Sequence, residues 1–219
     1  MSTVDALTRH RVIPVIVSDR LATADSLGDA LVAGGLPIAE VTMRTPAALG
    51  IITTLGQRGD IVVGAGTVLR PDDVDRAVDA GARFVVSPVT DLAILARARE
   101  RGILAIPGAM TPTEVLTAQR SGAPLIKFFP AKSAGGAAAV AAVASIFPDV
   151  RLIPTGGITL ATAIDYLALP AVAAVGGSWM VPQAAVEAGD SAAVSELIAQ
   201  TVASIARHDT DPSNPQESA

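Results

Sequence analysis

Five times the sequence runs through the same device: an Ala-, Leu- and Arg-rich segment of helical composition, a glycine, then a short apolar run. The five copies read "ALVAGGLPIAEVTM", "LGQRGDIVVGAGTV", "AVDAGARFVVSP", "ARERGILAIPGAM" and "AQRSGAPLIKFFPA", with glycines at 35, 59, 81, 102 and 122. Glycine just past a helix accepts a left-handed backbone without steric cost, so each one marks a helix end. The apolar runs lack a two-residue alternation, which points to strands covered on both faces and hence to a parallel sheet. Eight such runs are found: Val12–Val17, Ala39–Met43, Ile61–Ala65, Phe84–Ser87, Leu104–Ile106, Leu125–Phe129, Arg151–Pro154 and Ala173–Gly176. Helices are expected between them, over 22–33, 47–57, 71–80, 91–101, 112–121, 135–146, 159–168 and 191–206. Eight βα units in a chain of 219 residues predict an α/β fold, a single (β/α)8 TIM barrel. A doubly wound open sheet fits less well, because no G-x-G-x-x-G turn follows the first run.

Residues 1–11 are expected to form a short N-terminal helix, so the barrel domain spans 1–207. The polar, Pro-containing segment 208–219 is expected to be disordered. The segment "SAGGAAAVAAVAS" reads as a small-residue helix packed closely on the barrel.

Composition narrows the chemistry. The net charge of -5 argues against nucleic acid or an anionic membrane as the main partner. There is no cysteine, and the two histidines, His10 and His208, lie in terminal segments. Thiolate chemistry is excluded, and no metal site is expected. The apolar runs are too short and too often broken by Gly and Pro to span a membrane. No basic region followed by an apolar core opens the sequence, so a cytoplasmic protein is expected.

Lysine is rare here, which makes one of them conspicuous. Of the two, Lys127 sits inside the apolar run "PLIKFFPA", whereas Lys132 follows a proline and reads as an ordinary loop residue. Burial disfavours the charged form of an amine, and a neutral amine is what attacks a ketone to give a Schiff base. The bland alternative is a strand-edge lysine whose ammonium reaches water along its apolar stem.

Glu40 is the one glutamate expected inside a strand. A partly buried carboxylate at a barrel mouth can move protons near neutral pH; the competing reading is an ion pair with Arg44. Glu40, Thr42 and Arg44 alternate along the second run, so their side chains are expected to share a face. A planar guanidinium at the mouth suits a carboxylate ligand, and Thr67 offers a hydroxyl to the same group. "PTGG" closes the seventh run and "GGS" the eighth, where barrels of this class commonly hold phosphate. Gly156, Gly157, Gly177 and Ser178 are the candidates for that role.

"EVTMRT", "VGAGTVL", the "SP" after the fourth run, "IPG", "IKFFPA", "PTGGI" and "GGSWMVP" together closely resemble the 2-keto-3-deoxy-6-phosphogluconate (KDPG) and 4-hydroxy-2-oxoglutarate (KHG) aldolases, over residues 10 to 206. The resemblance implies a class I aldolase, metal-independent, without a separate cofactor and commonly homotrimeric, acting on a small 2-keto acid. It makes Lys127 the Schiff-base lysine and Glu40 the proton-transfer residue. It gives the pyruvyl carboxylate to Arg44 and Thr67, and the phosphate to Gly156, Gly157 and Ser178 with Gly177 beside them. Pro88 and Phe129 become apolar walls of the pocket.

Val89 stands where many members have glycine, and Met110 where a small polar residue is expected; both positions bear on substrate range. Two other readings keep part of the pattern. A sugar-phosphate epimerase, isomerase or synthase would keep the glycine turns without needing a strand lysine. A non-catalytic phosphometabolite-binding protein would need neither Glu40 nor Lys127.

Overall fold

The computed structural model describes residues 2–209. The chain opens with helix α1 (Thr3–Arg9), whose Ser2 and Asp5 form a reciprocal N-terminal cap, and enters strand β1 (Val12–Ile16). Alternating elements follow: α2 (Ala24–Ala33), β2 (Ile38–Thr42), α3 (Ala48–Arg58), β3 (Val62–Gly66), α4 (Pro71–Asp79), β4 (Phe84–Val86), α5 (Leu92–Glu100) and β5 (Leu104–Ile106). Then come β6 (Gly108–Ala109), α6 (Pro112–Arg120), β7 (Ile126–Phe128), α7 (Gly136–Ala144), β8 (Leu152–Pro154), α8 (Leu160–Leu167), β9 (Val175–Gly177), α9 (Gln183–Ala188) and α10 (Ser191–Asp209). All five repeat glycines adopt left-handed backbone, with φ between 64° and 94°. They end helices as the sequence pattern requires.

Among the described residues the eight expected runs become nine strands in two parallel sheets, not one continuous ladder. One sheet has the order β5-β4-β3-β2-β1-β9 and the other β6-β7-β8. The division falls at Pro107, between β5, which pairs with β4, and β6, which pairs with β7. Proline has no N–H to donate to a ladder and fixes φ, so the strand bends there and changes partner. The Pro107 carbonyl still accepts the Lys127 N–H at 2.8 Å, which ties the bend to β7. Isolated parallel bridges join Leu152 to Val172 and Thr155 to Gly176.

Two apolar layers organise the molecule. An inner cluster gathers Ile13, Ile38, Phe84, Val86, Ile106, Leu125, Ile153 and Ala174 from strands of both sheets and their flanks, together with Leu7 of α1. A larger outer cluster fills the space between strands and helices. Because side chains alternate along a strand, Glu40 lies on the face of Ile38, and Lys127 on the face of Leu125. Both therefore project from the inner side.

Helix α9 was not among the expected helices, and α10 runs two residues past 207. The reason for the second lies in Arg11, whose Nη1 meets Asp209 Oδ1 at 2.6 Å while its Nη2 donates to the Leu167 carbonyl. Residues 208 and 209 are thus helical, and the rest of the expected disordered tail, 210–219, lies outside the described residues. Among the described residues no helix is long and apolar enough to cross a membrane.

Candidate active site

Lys127 and Glu40 meet. Lys127, in the middle of β7, is paired in register with Gly108 and Ile153, and Glu40, in the middle of β2, with Val15 and Gly64. Their side chains bring Nζ to 3.1 Å from Oε1, with the residues only 7% and 3% exposed. Neither charge is tolerable alone at such burial, and each supplies the other's partner. Glu40 thus pairs with Lys127 and not with Arg44, which removes the ion pair with Arg44 as a reading of this carboxylate. The Phe129 ring lies over the amine, its centroid 5.3 Å from Nζ. Room for the pair comes from β3: a Cβ on Gly66 would sit 2.8 Å from Glu40 Cγ and closer still to Oε1. Sequence reasoning passed over Gly66, though it stands in the "VGAGT" that drew attention to Thr67.

The remaining candidates lie at or beyond the ends of the strands. Arg44 departs from expectation: β2 ends at Thr42, and Arg44 is an exposed residue in the turn that follows. Its N–H donates to the Thr42 carbonyl at 2.8 Å, closing the chain too tightly for strand alternation to continue. Arg44 Nε still reaches Thr42 Oγ1 at 3.4 Å, and that hydroxyl donates to the Ile16 carbonyl. Thr67 follows β3 with φ +60°, a left-handed conformation that costs a β-branched residue about 1–2 kcal/mol. Strain of this kind persists where surrounding structure holds it, typically at ligand sites.

Pro88 is half-buried and its backbone abuts the Cα of Gly108, while Phe129 is half-buried against Gly156. Gly156 and Gly157 have φ of +103° and +73°. Gly177 owes its lack of a side chain to packing, since the Trp179 ring occupies the space a Cβ would need; Trp179 Nε1 donates to the buried Thr201 Oγ1 at 3.1 Å. Ser178, next in sequence, is exposed.

Val89 and Met110 are both exposed, at 49% and 43%. The Met110 and Thr111 N–H groups donate to Glu114, and those bonds hold the Glu114 carboxyl below its ordinary pKa. Among the described residues no three His, Asp or Glu side chains gather to hold a metal ion.

A buried lysine in contact with a carboxylate is an arrangement that covalent catalysis on a carbonyl can use. The sequence agrees with it: residues 4–197 match the model of the family described as KDPG and KHG aldolase. This chain belongs to the KDPG and KHG aldolase family. It is 43% identical to the KHG/KDPG aldolase of Escherichia coli (strain K12) over 197 residues, covering 90% of this chain and 92% of that one. The crystal structure of Legionella pneumophila KDPG aldolase, with pyruvate captured at low pH as a covalent carbinolamine intermediate, superposes with a TM-score of 0.88 at 38% identity. The match covers 92% of this chain and 98% of that one. The Zymomonas mobilis ZM4 2-keto-3-deoxy-6-phosphogluconate aldolase, solved with 3-phosphoglycerate, gives 0.86 at 39% identity, covering 92% and 95%.

Proposed function

We propose that this protein is a class I aldolase that reversibly cleaves 2-keto-3-deoxy-6-phosphogluconate to pyruvate and glyceraldehyde 3-phosphate. The same site cleaves 4-hydroxy-2-oxoglutarate to pyruvate and glyoxylate. The observation that carries this reading is the buried 3.1 Å contact between Lys127 Nζ and Glu40 Oε1. An ammonium that passes its proton to a carboxylate at that distance becomes a free amine, and the acid so formed holds the proton in place for later steps.

The sequence of steps follows. Lys127 Nζ adds to the C2 carbonyl, and the carbinolamine hydroxyl leaves as water with the proton from Glu40. The cationic imine is an electron sink. Glu40, now a carboxylate, takes the proton of the C4 hydroxyl, directly or through water. The electrons of the C3–C4 bond move into the imine and the aldehyde departs. Glu40 returns its proton to C3 of the enamine, and a water molecule hydrolyses the imine to pyruvate and the lysine ammonium. No step passes through a metal or a separate cofactor.

Arg44 and Thr67 hold the pyruvyl carboxylate, the former from its turn and the latter from its left-handed backbone. Phe129 and Pro88 wall the reacting carbons. Gly156 and Gly157 bring bare backbone to the phosphate, and Ser178, carried past Gly177 at the end of β9, adds a hydroxyl.

The site needs its elements on one ring, and three facts support a closed (β/α)8 barrel: the inner cluster shared by both sheets, the continuation of β5 into β6 across Pro107, and the bridge from Thr155 to Gly176. A cytoplasmic homotrimer completes the reading. Exposed Leu69, Val89 and Met110, on the loops after β3, β4 and β6, together with Leu92 at the start of α5, support the assembly; sedimentation at a trimer mass is expected.

The test of the chemistry is trapping. Incubation with pyruvate and borohydride, followed by digestion and mass spectrometry, is expected to place the reduced adduct on Lys127 and not on Lys132. An unmodified Lys127 would sink the aldolase reading.

A further inference from the structure

We propose that Lys132 is a specificity-determining residue, the cation that selects phosphorylated over non-phosphorylated substrates. This rests on the reading above that the Gly156–Gly157 turn holds the substrate phosphate.

The placement comes from the backbone. Beyond β7 the chain stays against the segment that follows β8: Ala131 N–H donates to the Thr155 carbonyl at 2.8 Å and Lys132 N–H to the Gly156 carbonyl at 3.0 Å. Lys132 is thereby fixed beside the turn, although 25 residues of sequence separate it from Gly157. Its side chain then crosses the bare face of Gly157. A Cβ built there would lie 2.7 Å from Lys132 Cβ and 2.9 Å from Cδ, so the methylene stem occupies the space that any other residue would fill.

Lys132 and Gly157 are both exposed, so the lysine and the turn face solvent together. Among the described residues no carboxylate pairs with it: the ion pairs of the chain engage arginines and Lys127. Its charge is therefore uncommitted.

Chemistry gives that charge a use. A phosphate monoester carries close to two negative charges at neutral pH. Backbone amides and one serine hydroxyl supply hydrogen bonds but no full positive charge, and this chain is net negative, at -5. Lysine serves as a mobile point charge for phosphate, without the fixed fork that arginine would impose. The 4-hydroxy-2-oxoglutarate substrate ends in a carboxylate at a different place and has no phosphate to meet it.

The experiment compares kcat/KM on the two substrates. Lys132→Met keeps the packing stem and removes the charge. It is expected to lower kcat/KM for the phosphorylated substrate about fivefold, the size of a partly solvated ion pair, and to leave the non-phosphorylated substrate unchanged. Lys132→Glu is expected to lose more, and Lys132→Arg to retain the preference, a rescue that a merely structural role would not produce. Added salt is expected to weaken the phosphorylated substrate in the wild type more than in Lys132→Met.

Equal loss on both substrates, or no loss on either, overturns the inference. Ser178→Ala separates this from the underlying reading: if Ser178→Ala selectively weakens the phosphorylated substrate while Lys132→Met does not, the phosphate site stands and the role of Lys132 falls. If neither variant discriminates, the phosphate site itself is misplaced and the inference falls with it.

Discussion

A single methyl group on β3 is expected to disable proton transfer with Lys127 and Glu40 themselves unchanged. Gly66 is the residue, and Gly66→Ala the perturbation. Its backbone is not left-handed, so alanine is conformationally acceptable there and the substitution tests space alone. The added Cβ would lie 2.8 Å from Glu40 Cγ and 3.0 Å from Cδ, whereas ordinary contacts begin at 3.4 Å. The backbone cannot yield easily, because Gly66 is in register with Thr42 and its carbonyl accepts the Met43 N–H at 2.8 Å. The Glu40 side chain must yield instead, carrying Oε1 away from Lys127 Nζ. A retreat of about 1 Å breaks a 3.1 Å hydrogen bond. Misplacement of that size costs about a hundredfold in rate, or about 2.7 kcal/mol in the barrier, and overpacking removes a further ~1–3 kcal/mol of stability.

The assay is exchange of the pyruvate methyl protons for deuterium, which follows imine formation and proton transfer at C3 without C–C cleavage, alongside pyruvate release from 2-keto-3-deoxy-6-phosphogluconate. Both rates are expected to fall about a hundredfold while borohydride still traps an adduct on Lys127. Should Gly66→Ala prove too unstable to assay, adding Glu40→Asp shortens the carboxylate by one methylene; stability is expected to return and the exchange to stay slow. Wild-type exchange in a folded Gly66→Ala protein would refute the reasoning, since Glu40 would then work from a position the methyl group forbids.

Two other substitutions separate catalysis from scaffold. Glu40→Gln is expected to lower turnover by about 10²–10⁴ while adduct formation on Lys127 continues more slowly; full cleavage activity in that variant would remove Glu40 from the mechanism. Leu7→Ala, at a fully buried position of α1 against the inner cluster, is expected to cost about 2–5 kcal/mol of unfolding free energy with kcat unchanged, measured by urea denaturation and steady-state kinetics. An unaltered midpoint would show that α1 does not seal the inner core.

The sequence made the periodic part of the fold legible because the signal is local. A helix ends where its glycine turns left-handed, and a strand follows within a few residues. Pro107 was equally visible, in "ILAIPGAM", yet its consequence was not: a local run does not say which neighbour its ladder will join, and only the pairing of β5 with β4 and β6 with β7 exposes the bend. Arg44 was misplaced for a related reason. Alternation was carried two residues past Thr42, where a turn closed by the Arg44 N–H to the Thr42 carbonyl had already ended the strand. Lys132 looked bland because a loop lysine has no signature of its own; its meaning lies in Gly157.

Lys127 and Glu40 were each conspicuous by rarity and by sitting in apolar runs, but nothing local joins residues 87 positions apart. What joins them is burial itself. Once both sit on inward faces beside the same apolar cluster, each excludes the water the other would need, and a contact between them is the arrangement that leaves neither charge alone. The pair is therefore held together by the same desolvation that gives it its chemistry. In the mechanism proposed above, the substrate ketone competes with Glu40 for Nζ. This predicts coupling: Lys127→Met leaves Glu40 buried without its partner, at a cost of about 3–5 kcal/mol. Lys127→Met combined with Glu40→Gln is expected to be more stable than Lys127→Met alone. Equal stability of the two in urea would mean that the carboxylate reaches water, and the argument from burial would fail.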